Sequence, residues 1–127
     1  RQMCIRDRRW SVDNVVMMGD AAHPILPFLA QGAGLAIEDA EAIGRAFRTH
    51  GRDVRAAIRM YENERIPRAS DIALASRRQG ATYHMSGPMA LARDVVMRRV
   101  TPDGMLRRVD WIYGYRQGVG QRRRLLP

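Results

Sequence analysis

The stretch that decides the fold is residues 14–40, which read NVVMMGDAAHPILPFLAQGAGLAIEDA. Within it, residues 15–18 form an apolar run too short for a typical helix, and the two valines favour a buried strand. Gly19-Asp20 then ends that strand in a tight turn. The predicted strand therefore ends at a loop that carries the Asp20 carboxylate.

A helix is expected after that loop, because Pro24 and Pro27 both lack an N–H group and restrict the residue before them. We predict this helix from Gly32 to Thr49, with Gly51 just past its end. Apolar residues recur at helical spacing, and the predicted inward face consists of Ala33, Ala36, Ile37, Ala40, Ile43 and Phe47.

An Asp at the end of a strand and a glycine-rich helix start together indicate a cofactor-binding arrangement. The Asp20 carboxylate can accept hydrogen bonds from sugar-like hydroxyls. The free N–H groups and positive dipole of the helix start, at residues 31–34, can hold an anionic or electron-rich group. The alternative is that Gly19-Asp20 is only a turn and that the glycines only ease packing.

A second helix is predicted to begin after Asp53, which suits the N-cap position. Pro67 should kink or break this helix, and the apolar pattern then resumes as far as Gly80. We interpret Arg65 and Arg68 as surface residues in weak ion pairs along the helix. The predicted inward face consists of Val54, Ala57, Ile58 and Tyr61.

Two shorter helices are expected at residues 89–100 and 105–113, because Gly-Pro and Pro-Asp-Gly sequences interrupt the chain before and between them. The predicted inward residues are Leu91, Val95 and either Met97 or Arg98 in the first helix, and Leu106, Val109, Ile112 and Tyr113 in the second.

The composition is that of a globular chain. Its 127 residues are enough for one small domain with a core, and 46% of them are apolar. No run approaches the ~20 apolar residues of a membrane span, and no signal peptide is visible. The single cysteine, Cys4, permits no internal disulfide, which is compatible with the cytoplasm. The net charge of +9 comes from arginines spread along the predicted helices, so we expect no nucleic-acid partner and no membrane partner.

The turn and helix start resemble the second FAD-binding motif of the class A flavoprotein aromatic hydroxylases. That family pattern has GDAAH, a proline a few residues on, a QG helix start and an ED pair. This chain carries the pattern at residues 19–23, Pro27, Gln31-Gly32 and residues 38–40. Ala30 is a departure, since many members carry Gly there, and an alanine is tolerated at that position if its φ is negative.

Later strings continue the resemblance. Residues 61–68 match a YExxRxPR string and residues 76–80 match its SRxxG continuation. The strings YHMSGP at residues 83–88 and DWIYGY at residues 110–115 are similar to the salicylate hydroxylase and 6-hydroxynicotinate 3-monooxygenase branch. We expect these helices to pack against a flavin domain.

The resemblance implies the C-terminal fragment of an FAD-dependent monooxygenase. Such an enzyme hydroxylates an aromatic acid with O₂ and NADH or NADPH, through a flavin C4a-hydroperoxide. The parent would have an α/β FAD/NAD(P)-binding fold, Rossmann-like and of the para-hydroxybenzoate hydroxylase type, as a monomer or homodimer. This part of it is predicted to be mostly α with one or two short strands. Because no GxGxxG fingerprint for ADP is present, we expect the fragment alone to be inactive.

The cofactor-binding residues that the resemblance implies are Gly19, Asp20, Pro27, Gln31, Gly32, Ala33 and Gly34. Asp20 would bind the ribityl chain of FAD, and Pro27 would shape the loop between flavin and substrate. The helix start would face the pyrimidine edge of the isoalloxazine, where N–H groups stabilise negative charge. The oxygen chemistry would remain that of the flavin.

No catalytic residue is assigned. His23 could act as a general base, because histidine titrates near neutrality; the alternative is a hydrogen-bonded role that holds the loop. No metal site is expected, since His50 and His84 are distant in sequence. Glu38 and Asp39 could be an acid–base pair, but adjacent helix positions point about 100° apart. We interpret these two acids as complements to the helix dipole and as partners for nearby arginines.

The predicted organisation has four parts. Residues 1–9 are an artefactual leader, since residues 3–8 resemble a translated sequencing adapter; the alternative is a genuine basic strand. Residues 10–50 are the C-terminal part of an FAD-binding domain, residues 51–115 are a helical region, and residues 116–127 are a flexible basic tail.

Two other function classes fit the sequence. The first is a small basic helical binding or interaction domain that uses no flavin. The second is a nucleic-acid-binding protein, whose affinity would fall steeply with salt. An upstream GxGxxG, followed by an acidic residue about 20 positions on, would favour the flavoprotein over both.

Overall fold

The computed structural model describes residues 9–116. The predicted leader at residues 1–9 and the predicted tail at residues 116–127 lie outside the described residues, except for Arg9 and Arg116. The described chain is mostly helical and has one two-stranded sheet, which confirms the predicted composition of elements. It divides into two compact units, the first ending at Ser86 and the second beginning at Gly87.

The sheet of the first unit is a short antiparallel hairpin. Strand β1 is Ser11–Val12 and strand β2 is Val15–Val16, and the turn between them places Asp13 at a φ of 53°. The prediction of a buried strand over residues 15–18 is wrong in length and in burial, because Val15 is 72% exposed. A two-stranded hairpin offers few neighbours to cover its side chains.

Two short 3₁₀ turns, Gly19–Ala21 and Pro27–Leu29, lead into the main helices. Helix α1 is Gly32–His50 and helix α2 is Val54–Tyr83. The bounds of α1 agree with the prediction to within one residue. Asp53 is the N-cap of α2, as predicted, since its carboxylate accepts a 2.9 Å hydrogen bond from the N–H of Ala56.

The buried face of α1 differs from the predicted one. It consists of Leu35, Asp39, Ala42 and Ala46. Ile37, which the prediction placed inward, is 72% exposed. The four buried residues follow the helical repeat, but the acidic side chain of Asp39 interrupts the apolar pattern. The apolar periodicity of the sequence therefore favoured a face of α1 next to the one that is buried.

Helix α2 runs through Pro67 without a break, so the predicted break there is wrong, and the predicted kink stays a prediction. Pro67 removes one backbone donor, but buried residues on both sides of it, including Arg65 and Ala69, hold the helix in place. The predicted inward residues Ala57, Ile58 and Tyr61 are buried. The core between the helices contains Trp10, Ala42, Ala46, Ala57, Tyr61 and Ala69.

The second unit contains helix α3, Gly87–Arg99, and helix α4, Pro102–Tyr113. Both helices were predicted, each with a start a few residues later than the observed one. Most of their predicted inward residues are exposed, including Leu91 at 70% and Leu106 at 66%, whereas Ile112 is buried. Apolar periodicity shows which face a helix can bury; it does not show that a partner covers that face. None of the helices within residues 9–116 is long and apolar enough to cross a membrane.

Candidate cofactor-binding site

The turn at Gly19 is held by its own backbone and by α1. Gly19 has a φ of +57°, a region that favours glycine, and a Cβ added there would lie 3.4 Å from that of Ala36. The carbonyl of Gly19 accepts 2.9 Å hydrogen bonds from the N–H groups of Ala22 and His23. Its N–H donates to Oδ2 of Asp39 at 2.9 Å. The turn is therefore joined to the buried face of the helix that follows.

Asp20, the next residue, lies beside the start of α1. Its side chain is exposed, and a Cβ added to Gly32 would lie 3.6 Å from its Oδ1. The first N–H groups of a helix have no acceptor within the helix, and the first turn of α1 contains no acidic residue. One exposed carboxylate and a set of backbone donors are thus brought together. They can serve a ligand that carries both hydroxyls and an electron-rich group.

The loop between the turn and α1 is held by the distal part of α2. The Oγ of Ser76 donates a 2.6 Å hydrogen bond to the carbonyl of Leu26. A Cβ added to Gly80 would lie 2.5 Å from Cε2 of Phe28, so only glycine admits that ring. Pro27 lies in this loop and is exposed. The SRxxG string therefore shapes the predicted flavin loop.

The backbone before α1 is left-handed at one alanine. Ala30 has a φ of +49°, so the condition under which an alanine is tolerated there without strain is not met. Left-handed backbone costs a non-glycine residue roughly 1–2 kcal/mol, a cost that glycine at this position would avoid. Gln31 is buried, and a Cβ added to Gly34 would lie 3.3 Å from its Oε1. Gly34 therefore makes room for the Gln31 side chain.

A buried ionic network lies directly beneath the turn. The Asp39 carboxylate, 0% exposed, accepts from the Gly19 N–H and the Nε of Arg65 at 2.8 Å, and it contacts Nε2 of His23 at 2.6 Å. Arg65 is also fully buried, and its second ion pair is with Glu38 at 2.7 Å. Arginine partners for the acidic pair are confirmed. The prediction that Arg65 and Arg68 are surface residues paired along their own helix is wrong, because both are buried and their ion pairs with Glu38 cross from α2 to α1.

The charges in this network stabilise one another. Burial by itself would raise the pKa of Asp39, but the hydrogen bonds from His23, Arg65 and Gly19 outweigh it and hold that pKa below its ordinary value. Burial would lower the pKa of Arg65, and its bonds to the two acids instead raise it. Burial and the nearby Asp39 charge raise the pKa of Tyr61. Asp39 and Arg65 are therefore both ionised at neutral pH.

His23 is buried against the ring of Trp10, with 5.2 Å between the ring centroids. One of its nitrogens contacts Asp39, and its Nδ1 has no hydrogen-bond partner within the described residues. The roles predicted for His23, general base or loop support, both stay predictions. Among residues 9–116, no group of three or more His, Cys, Asp or Glu side chains could hold a metal ion.

Comparison with known proteins identifies the family. Residues 4–76 match the family described as FAD binding domain. The chain belongs to this family. The match includes the Gly19 turn, the whole of α1 and about the first three quarters of α2.

The relatives of this member of the FAD binding domain family include aromatic hydroxylases. It is 36% identical over 87% of its length to 3-hydroxybenzoate 6-hydroxylase from Polaromonas naphthalenivorans. It is 37% identical over 89% of its length to 3-amino-4-hydroxybenzoate 2-monooxygenase from Streptomyces platensis. A third relative is an FAD-dependent urate hydroxylase from Mycolicibacterium vanbaalenii, 38% identical over 66% of this chain. The chain spans 28% of the length of the first two relatives and 21% of the third.

Proposed function

We propose that this chain is the C-terminal part of an FAD-dependent monooxygenase that hydroxylates an aromatic acid. The observation that carries the proposal is the exposed Asp20 carboxylate beside the open first turn of α1, in a chain of the FAD binding domain family. The relatives support it, because two of them are named for hydroxylation of benzoates. Bound FAD would supply the redox chemistry, with O₂ and NADH or NADPH as co-substrates.

In this proposal the chain's own residues bind and orient the flavin. Asp20 accepts hydrogen bonds from the ribityl hydroxyls. The N–H groups of Gly32, Ala33 and Gly34 face the electron-rich edge of the ring. Pro27, with Gln31 and Gly19, gives the loop its shape. We place the enzyme in the cytoplasm, as a monomer or homodimer, and in the salicylate hydroxylase-like branch of the family.

FAD titration of the complete gene product tests the cofactor site. We expect Asp20→Ala to weaken FAD binding on the order of tenfold or more, because a charge-assisted hydrogen bond is lost. Asp71→Ala, which removes an exposed carboxylate from α2, is the matched control and should leave the affinity within about twofold. Equal effects of the two variants would place the flavin elsewhere.

Two further measurements test the proposed activity and the assignment of this chain as part of a larger enzyme. We expect the complete gene product to oxidise NADH or NADPH faster when an aromatic acid, such as 3-hydroxybenzoate or salicylate, is present. The 127-residue chain by itself should bind FAD weakly or not at all. Tight, stoichiometric FAD binding by this chain alone would contradict its assignment as a fragment. Absence of flavin binding by the complete product would favour the helical interaction domain instead.

A further inference from the structure

One carboxylate oxygen holds both ends of the cofactor turn. Oδ2 of Asp39 accepts from the N–H of Gly19, where the turn begins, at 2.9 Å. The same atom lies 2.6 Å from Nε2 of His23, where the turn ends. Asp20 lies between these two contacts in the chain. Its backbone position is therefore set by a residue that lies on a different element.

We propose that Asp39 is a positioning residue, whose buried carboxylate fixes the Gly19 turn and thereby aims the Asp20 carboxylate at the cofactor. Asp39 is fully buried, so it acts through the turn and does not itself contact the flavin. The inference rests on the proposed function for its flavin measurement, but the effect on the turn can be measured without flavin.

The second helix fixes the orientation of this carboxylate. Nε of Arg65 donates to the other oxygen of Asp39, Oδ1, at 2.8 Å. Arg65 is held in turn by Glu38, at 2.7 Å, and by the carbonyl of Leu35, at 3.5 Å. Positioning therefore passes from α2 through Arg65 and Asp39 to the turn.

Filling of the core does not account for this arrangement. An apolar residue at position 39 would fill the space as well, and such replacements of buried ion pairs are often neutral or stabilising. An apolar residue would bond neither Gly19 nor His23, however. Gly19 needs that bond, because the residue is buried and an unpaired buried N–H donor is costly.

Nuclear magnetic resonance of the 14.5 kDa chain can follow the turn directly. Asp39→Asn keeps the shape of the side chain. Its oxygen should stay with the charged Arg65, so that the NH₂ group replaces Oδ2 and the N–H of Gly19 loses its acceptor. We expect the Gly19 amide proton to move upfield and to exchange on the order of tenfold faster. In the complete gene product, the dissociation constant for FAD should rise by a similar factor.

Asp53→Ala is the matched control. It removes a carboxylate bond of the same length, 2.9 Å to the N–H of Ala56, and lowers stability without touching the turn. We expect it to leave the Gly19 amide signal unchanged and the FAD affinity within about twofold. If Asp39→Asn only lowers the melting temperature, as this control does, Asp39 is a structural residue and the proposal is wrong.

A second variant keeps the test decisive if Asp39→Asn does not fold. Arg65→Lys retains the buried positive charge but lacks the Nε donor, and it leaves Asp39 in place. It should shift the Gly19 amide in the same direction by a smaller amount; an unchanged signal would overturn the proposal. If the complete product binds no FAD, the proposed function fails, while the Gly19 amide still reports whether Asp39 fixes the turn.

Discussion

Helices α1 and α2 are joined by two ionic clusters that have similar distances and different surroundings. The buried cluster comprises His23, Glu38, Asp39 and Arg65; the surface cluster comprises Glu41, Arg45 and Glu64. The closest Arg65–Asp39 and Arg45–Glu64 contacts are both 2.8 Å. Both side chains of the first pair are 0% exposed, whereas those of the second are each 24% exposed.

The distance between the charged atoms does not show how much each pair contributes to stability. Water screens the charges of the surface cluster, and exposed pairs contribute roughly 0.2–1 kcal/mol. The buried cluster is compensated by its own members and by nearby backbone groups, so removal of one member leaves a buried charge with fewer partners and no water to solvate it. That loss costs about 3–5 kcal/mol. The cost of breaking the buried cluster therefore restricts the conformations that the Gly19 turn above it can adopt.

The largest expected effect comes from breaking the buried cluster. Asp39→Ala should reduce the free energy of unfolding by about 3–5 kcal/mol, because Arg65 is left buried with one fewer partner. Urea denaturation at pH 7 measures this change. Asp71→Ala, the exposed control on α2, should change it by less than about 0.5 kcal/mol. A decrease in the free energy of unfolding below about 1 kcal/mol for Asp39→Ala would show that the buried cluster contributes no more than an exposed ion pair does.

The next largest effect should be the loss of the buried cluster's contribution to stability in acid. Because the pKa of Asp39 is lower in the folded chain than its ordinary value of 3.8, its ionised form favours folding. That contribution is complete above the unfolded pKa and is lost as the pH falls through the folded one. Below about pH 4, we therefore expect the melting temperature of the unmodified chain to fall more steeply than that of Asp39→Asn. Parallel curves would show that Asp39 does not titrate differently on unfolding.

The smallest effect belongs to the surface cluster. Glu64→Ala should cost about 0.2–1 kcal/mol, because the Arg45 side chain remains partly solvated. In about 1 M NaCl, where the screening length is ~3 Å, this cost should nearly vanish, while that of Asp39→Ala persists. Urea denaturation of the two variants with and without salt measures the contrast. A salt-resistant cost at Glu64 would remove the distinction between the clusters.

Local signals in the sequence predicted much of this fold. Glycine at position 51 marked the end of α1, and Asp53 marked the start of α2, because caps depend on residues only a few positions apart. Burial of Asp39 could not be predicted in the same way. Its partners Gly19 and Arg65 are 20 and 26 positions away, so an acidic residue on a helix read as exposed.

The residues of the candidate site also divide into those that the sequence identifies and those whose role depends on distant contacts. The residues that would face the flavin, such as Asp20 and Gly32, are recognisable because their types and order recur in a family pattern. The residues that fix their geometry lie in the same strings, at the ED pair and at Arg65, but their role depends on which helix faces them. The positive φ of Ala30 was missed for a related reason, since alanine gives no local signal for left-handed backbone.

The unbroken course of α2 through Pro67 sets the spacing between distant contacts. Arg65, which reaches Asp39, and Ser76 and Gly80, which reach the loop at Leu26 and Phe28, all lie on the buried side of this one helix. One residue inserted between positions 65 and 76 would rotate everything after it by about 100° and advance it by about 1.5 Å. Point substitutions should therefore be tolerated on the exposed side of this segment, whereas any change in its length should not be.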